Sequence, residues 1–326
     1  MGSIKGKAIG KLTPNDQLSA SELPVLMGAS RFKSVNELLK QKIDVLNGIE
    51  TPFQTNEAME WGNLSEGMIL EEGIRRLGLT TFKLEHTEPY QHKTAPIACS
   101  LDATAEGDGS DLMTDIEQGI ICVNQDVIRL EGTGVIEAKL TGHDPESADE
   151  LPLYRGPLQL QMQMDITGAK WGALCVLYKG TQLKTFVYVR DEEVLARLHE
   201  SVVTFQGKLD KYQSEQVIDW YDIMDPAEAS KIFNTPESIT IDLPETESFA
   251  EKIVEIRSMV ATLEDQAKEM EVKIMDQMRD ASYAHAGRYK ISWPTLNYKA
   301  TPEKVVPAKP ARTIRQSKLR IRDREL

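Results

Sequence analysis

At 326 residues the chain can bury a sizeable core, in one elaborated domain or two small ones. No apolar run is long enough to span a bilayer, and Met1–Lys7 lacks a signal-peptide core. The three cysteines, Cys99, Cys122 and Cys175, have no CxxC spacing, which argues against a zinc or iron–sulfur site and fits a reducing cytoplasm. The formal net charge of −13 is the wrong sign for a protein that coats nucleic acid. Its distribution is uneven, because Lys299 to Leu326 holds nine Lys or Arg against three acids. That local balance of +6 leaves −19 for the rest. A channel that threads DNA needs a basic lining rather than a basic exterior.

In chain order, residues 1–17 read as a flexible arm. Trp61–Glu66, running into Gly67–Ile74, reads as a helix. Leu64, Met68 and Glu71 share one face of it, and Ile69, Glu72 and Arg76 another. Glu66 is either a solvated helix acid or a functional carboxylate. Gly67 and Gly73 lower the helix's intrinsic stability, which close approach to another backbone would explain. Ala98–Thr104 is a short run of small and apolar residues with one acid, Asp102, and turn-prone Glu106–Gly109 follows. It predicts a strand entering a hairpin, with Asp102 as a strand-end turn acid or as a metal-binding carboxylate. A second strand-like run, residues 119–128, predicts that the hairpin is long and lies on the edge of the central sheet.

The most informative stretch is Gly134-Val135-Ile136-Glu137-Ala138-Lys139. Alternate residues of a strand share a face, so Glu137 and Lys139 point together while Ile136 and Ala138 turn away. A carboxylate beside an ammonium on a half-buried strand is costly unless something uses or neutralises it. A surface strand with a satisfied ion pair reads the same way. Next, Gln159-Leu160-Gln161-Met162-Gln163-Met164 opens an apolar segment, with Gln159 and Gln163 as helical neighbours. It is a polar helix edge over a core, or a set of amides that partner a phosphate or a metal-bound water.

Glu192–Leu209 reads as an amphipathic helix, and Tyr221–Glu247 as a loop with short elements, broken by Pro226, Pro236 and Pro244. Ile253, Ile256, Val260, Leu263, Ala267, Met270 and Ile274 then repeat at alternating spacings of three and four, an a/d stripe. It predicts a long helix packed on its own domain or in a helical hairpin, with an intermolecular coiled coil as the alternative. Gly287–Trp293 reads as a strand ending at Pro294, followed by the basic tail. The five histidines, His86, His92, His143, His199 and His285, form no metal-ligand spacing.

Four of these segments, in this order, resemble the lambda exonuclease and YqaJ-like branch of the PD-(D/E)XK nuclease superfamily. They are the Trp-Gly-x-x-x-Glu helix start (Trp61 to Glu66), the Ala-Cys-Ser-x-Asp strand (Ala98 to Asp102), Glu137-x-Lys139, and the Gln-x-Gln-x-x-Met helix (Gln159 to Met164). Residues 19–34 look like that family's opening helix and Gly-x-Ser turn, and Gly287–Trp293 like its closing segment. The resemblance covers roughly residues 18–190.

It implies an α/β (α+β) restriction-endonuclease-like core, a mixed central sheet flanked by helices, at residues 18–210. A loop and long C-terminal helix (211–285) and a strand with a basic tail (286–326) complete the expected organisation. It implies Asp102, Glu137 and the Ala138 carbonyl as metal ligands, with Glu66 binding a second metal or a metal-bound water. Lys139 would orient or activate the attacking water, and Gln159 would position the scissile phosphate or the lysine. Gln161, Ser21 and Arg31 are the expected DNA contacts. The cofactor expected is Mg²⁺, with Mn²⁺ as a substitute, because clustered hard oxygens suit such ions. The activity implied is 5′→3′ exonucleolytic hydrolysis at duplex DNA ends in phage or prophage recombination, inside the bacterial host cytoplasm. A single-strand annealing protein is the expected partner, and a homo-oligomeric ring, a trimer, the expected assembly. The alternatives are a structure-specific or nicking endonuclease, a non-catalytic DNA-end-binding assembly protein, and a nuclease of RNA. The spacing from Asp102 to Glu137 is longer than the short hairpin typical of the family.

Overall fold

A computed structural model of the chain describes residues 13–49, 56–84, 86–234 and 240–296. The basic tail and most of the N-terminal arm lie outside the described residues. Contacts divide the chain into two compact units, Met1–Ile232 and Phe233–Leu326.

The first unit opens with β1 (Leu18–Ser19), α1 (Leu23–Leu26), α2 (Val35–Leu46) and α3 (Glu57–Arg76). There follow β2 (Phe82–Leu84), β3 (Tyr90–Gln91), β4 (Ile97–Cys99), β5 (Ala103–Met113), β6 (Ile120–Cys122) and β7 (Val127–Thr141). It closes with α4 (Pro157–Thr167), β8 (Trp171–Tyr178), β9 (Gln182–Val189), α5 (Glu192–Glu215) and α6 (Pro226–Ile232). A mixed six-stranded sheet runs in the order β2-β5-β7-β8-β9-β6, and β1-β4-β3 form a separate small sheet. Within the large sheet, β7 with β8 and β6 with β9 are parallel, and the remaining pairs are antiparallel.

The period of two in the strands sorts their side chains onto two cores. Val135, Leu174, Val176 and Phe186 pack with Leu23, Leu38, Leu160 and Leu198 of α1, α2, α4 and α5. Ile136, Ala173, Cys175 and Val187 turn to the other face, against Ile69, Leu70 and Ile74 of α3. Each such fully buried aliphatic side chain contributes about 1.5–3 kcal/mol. Helix α3 therefore buries Ile69, Leu70, Gly73 and Ile74, while Leu64 and Met68, expected to share a face with Glu71, are exposed. Gly73 has the expected close approach: a Cβ there would stand 2.2 Å from the Cys175 Sγ. Gly67 does not, since a Cβ there would meet nothing within 4 Å.

Two strand expectations change in detail. The run through Ala98–Asp102 is not one strand, because β4 ends at Cys99 in the small sheet and β5 begins at Ala103 in the large one. Ser100–Asp102 is the crossing between sheets. The run 119–128 is also divided, at Asn124 with its positive φ of 58°. Its first part is the edge strand β6 on β9, and its second begins β7 in the sheet interior. The long hairpin is thus β5–β7, paired from Ala103↔Ile136 to Met113↔Val127 with a shift between Asp108 and Asp111. Beyond the core expected to end at residue 210, α5 continues to Glu215.

The second unit holds α7 (Glu247–Met278) and the hairpin β10 (Tyr283–Ala286) and β11 (Tyr289–Ser292). Gly287 occupies the turn at φ +59°, so the predicted strand is the second arm of a hairpin. The a/d stripe of Ile253 to Ile274 runs along α7.

Candidate functional site

Strand β7 delivers Glu137 and Lys139 to the face covered by α4. Gly156, at φ +124°, and Pro157 start α4 beside the Lys139 stem, so its first turn brings Gln159 within reach. Glu137, 3% exposed, accepts at Oε1 from the Lys139 Nζ at 2.6 Å and the Gln159 Nε2 at 2.6 Å. Its Oε2 accepts from the Gln163 Nε2 at 2.8 Å, and the same amide donates to the Ser100 carbonyl at 3.0 Å. The Gln159 Oε1 lies 3.4 Å from the Lys139 Nζ. One helix edge thus clamps the acid, the lysine and the chain crossing that leads to Asp102.

Asp102 sits where β5 has not yet begun. The ladder between β5 and β7 stops at Ala103↔Ile136, and the Asp102 Oδ2 accepts the next available N–H, that of Ala138, at 2.9 Å. Burial, then Glu137 and Glu66, push its carboxyl well above the usual range, against Lys139 and the Ala138 N–H, which pull it down. Glu66, on α3, is also raised, by burial first and by Glu137 second, with Lys139 opposing. Lys139 feels burial most, which would lower it, but Glu137, Asp102 and Glu66 together outweigh that and raise it. Its side chain remains 34% exposed at the cleft wall, consistent with a retained charge. Two carboxyls raised by burial and by the neighbouring Glu137, around one cation, form an electrostatically strained cluster.

These residues share a cleft of about 760 Å³ lined by Glu66, Asp102, Glu137, Ala138 and Lys139, with Asn63 and Phe32 at its sides. A neighbouring cleft of about 900 Å³ has Lys139 in common and adds Ser21, Arg31, Arg155 and Gln159. The Arg31 guanidinium lies 4.4 Å from the Tyr154 ring centre. Arg155 binds Glu146 at 2.5 Å, and with Tyr154 it holds that carboxyl down at about 2. Ser21 and Arg31, expected from sequence, therefore line the cleft that adjoins the acids' cleft at Lys139.

Gln161 does not. Its Nε2 donates to the Val189 carbonyl at 2.9 Å, and its Oε1 accepts from the Asp191 N–H at 2.9 Å, so it ties β9 to the start of α5. Residues 159 and 163 share a helical face, and residue 161 is turned some 200° from 159. Gln163 is the amide missed as a site residue, and its i+4 spacing from Gln159 was the available signal.

The carboxylate oxygens of Glu66, Asp102 and Glu137 are the hard donors that Mg²⁺ takes, and an ion there would relieve their repulsion. A second group of a different kind lies on the far side of α4. His92, Asp165 and His199 place ligand atoms within 4.8 Å of one another, a cluster capable of coordinating a divalent cation. No histidine spacing announces it, because β3, α4 and α5 assemble it in space. The Asp165 Oδ2 is 3.1 Å from the His92 Nε2 and 2.7 Å from the His199 Nε2, and its Oδ1 is 2.6 Å from Arg190. The His92 Nδ1 accepts the Ala95 N–H at 2.8 Å, which assigns the ring proton to Nε2. Every group in this cluster has a partner, and its nitrogen donors suit transition metals better than Mg²⁺.

Among known proteins, the model of the YqaJ-like viral recombinase domain matches residues 13–170. The chain is 21% identical over 285 residues to the uncharacterized protein YqaJ of Bacillus subtilis (strain 168), covering 85% of this chain and 79% of that one. Among solved structures it is similar to an alkaline exonuclease from Laribacter hongkongensis, at 18% identity and a TM-score of 0.43. That match covers 62% of this chain and 93% of the other. A phage related exonuclease from Haemophilus somnus 129PT matches at 13% identity and a TM-score of 0.41, over 62% and 96% of the two chains.

Proposed function

We propose that this chain, which the YqaJ-like viral recombinase domain matches over residues 13–170, belongs to the YqaJ-like branch of the PD-(D/E)XK nuclease superfamily and is a Mg²⁺-dependent DNA exonuclease. The observation that carries the reading is the meeting of Glu66, Asp102, Glu137 and Lys139 in one cleft, with Gln159 bridging the acid and the lysine. Asp102, Glu137 and the Ala138 carbonyl would hold the ion, with Mn²⁺ as a substitute, and Glu66 would complete the set. When bound, the ion supplies an acidified water and neutralises charge on the phosphate.

The chain's own residues do the rest. Lys139, kept charged by three carboxyls, faces the scissile phosphate as an electrostatic stabiliser and orients the attacking water. Gln159 fixes the lysine's direction, and Gln163 holds Glu137 from behind. Arg31 and Ser21, in the adjoining cleft, receive the phosphate at the strand's 5′ end, so that the end of a duplex seats beside the acids. This gives 5′→3′ polarity on duplex ends, producing 3′ single strands for a single-strand annealing partner in phage recombination. A trimeric ring enclosing DNA would add processivity.

The test is degradation of 5′- or 3′-labelled linear duplex and of closed circular DNA, with Mg²⁺ or EDTA, beside Lys139→Ala. Mg²⁺-dependent loss of linear DNA from the 5′ end, absent in the variant, is the expected result. Cutting of closed circles would replace the exonuclease reading with an endonuclease, and DNA binding without any cleavage would remove the catalytic one.

A further inference from the structure

Four residues line both the acids' cleft and its neighbour: Phe32, Met59, Lys139 and Leu140. They mark where the passage from the acids to Ser21 and Arg31 narrows. Lys139 brings charge to that junction, whereas Phe32 brings an aromatic ring. The ring is 85% exposed, belongs to neither core, and has no described residue of the first unit packed over it. A lone exposed phenylalanine is ordinary on a protein surface. One braced at the junction of two clefts that carry a lysine and an arginine is a different matter. We propose that Phe32 stacks on the base of the 5′-terminal nucleotide of the DNA strand, as a binding residue indifferent to sequence.

The backbone holds the ring in place. The Ser30 Oγ accepts the Phe32 N–H at 3.2 Å and the Lys33 N–H at 3.3 Å, and the Ser30 N–H donates to the Pro24 carbonyl at 2.9 Å. Two residues on, Ser34 caps α2: its Oγ accepts the Glu37 N–H at 3.2 Å, and its own N–H donates to the Glu37 carboxylate at 3.0 Å. A ring on a braced turn, with only two side-chain torsions, has little freedom to lose on binding. What suits such a junction is a flat apolar face joined to phosphates, which is the chemistry of a nucleotide. Every base has a π face, so stacking accepts any sequence, as degradation along a strand requires. The inference rests on the proposed reading of the two clefts. With the 5′ phosphate at Ser21 and Arg31 and the scissile phosphate at Lys139, the nucleotide between them is the terminal one. Phe32 lines both clefts which that nucleotide would span.

The test is a double-mutant cycle on binding, with Ca²⁺ replacing Mg²⁺ so that the strand stays whole. Fluorescence anisotropy reads the affinity of the full chain for a 5′-phosphorylated duplex labelled at its far end, with the 5′-terminal base present or replaced by an abasic site. Phe32→Ala should weaken binding of the intact duplex by about ten- to a hundredfold. Phe32→Trp should stay within about threefold of wild type, and Phe32→Leu, apolar but without a π face, should fall close to Phe32→Ala. The abasic end should weaken wild type to a similar degree and Phe32→Ala hardly further, because both changes remove one contact. Tm should match wild type, since the ring packs in neither core. Additive losses, or an abasic end that leaves wild-type affinity unchanged, would overturn the proposal. So would a lowered Tm with DNA affinity intact, which would assign the ring to packing within the protein. Hydrolysis of linear DNA by a wild type whose cycle shows no coupling would remove the stacking alone. Coupling in a chain that hydrolyses nothing with Mg²⁺ would remove the catalytic reading alone, and a chain that binds no duplex would remove both.

Discussion

Helix α4 separates two polar clusters of opposite character. On one side, Gln159 and Gln163 reach Glu137, within a group whose carboxyls Asp102 and Glu66 are raised by burial and then by Glu137. On the other, Asp165 is bonded by His92, His199 and Arg190, and each donor has its acceptor. Both are half-buried sets of ionisable groups, and both offer three ligands. The first stores electrostatic strain that a cation or a phosphate would relieve, whereas the second is already satisfied. Clustering alone therefore does not mark a site; uncompensated charge in an open cleft does.

The sharpest way to break this contrast is through activity. Glu137→Gln should reduce DNA hydrolysis by about a thousandfold or more, since it removes the ligand and the partner of Lys139 together. His199→Ala should change it less than about threefold. Equal losses, measured as initial rates on linear duplex, would erase the distinction.

Stability should show the reverse order. Asp165→Asn leaves a donor facing donors and should cost about 1–3 kcal/mol, lowering Tm by about 3–8 °C, with the rate per folded enzyme preserved. Asp102→Asn should instead raise Tm at neutral pH by about 2–4 °C in metal-free buffer. The sign follows from its raised carboxyl. Such a group's contribution is fully present below the unfolded pKa, near 3.9, and is lost as pH rises through the folded value. The gain in Tm should therefore shrink as pH falls toward 4, and a gain that grows on acidification would refute it. The smallest effect is expected for Gln163→Met, which frees Glu137 on one side only. Its Mg²⁺ affinity should weaken by roughly three- to tenfold, read calorimetrically, with Tm nearly unchanged.

Much of the strained cluster was legible in the chain, because a strand's period of two is rigid. Glu137 and Lys139 had to share a face, and Val135 and Ile136 had to feed opposite cores. Asp102 was legible as an acid at a strand boundary, though the crossing between two sheets at Ser100–Asp102 depends on tertiary pairing that no local pattern announces. The Gln-x-Gln motif of the resemblance pointed to Gln161 beside Gln159, whereas the helical angle favours Gln163, which reaches Glu137. The satisfied cluster was invisible: His92, Asp165 and His199 are far apart in sequence and meet only through the packing of α4 and α5. Helix α7 was legible from the alternating three- and four-residue spacing of its apolar residues.

The most direct test of the account is calorimetric titration of Mg²⁺ into metal-free protein, comparing wild type, Glu137→Gln and His199→Ala. The account predicts that the Mg²⁺ binding heat disappears in Glu137→Gln and persists in His199→Ala. Loss of Mg²⁺ binding in His199→Ala with retention in Glu137→Gln would contradict it, and would move the catalytic metal to the far side of α4.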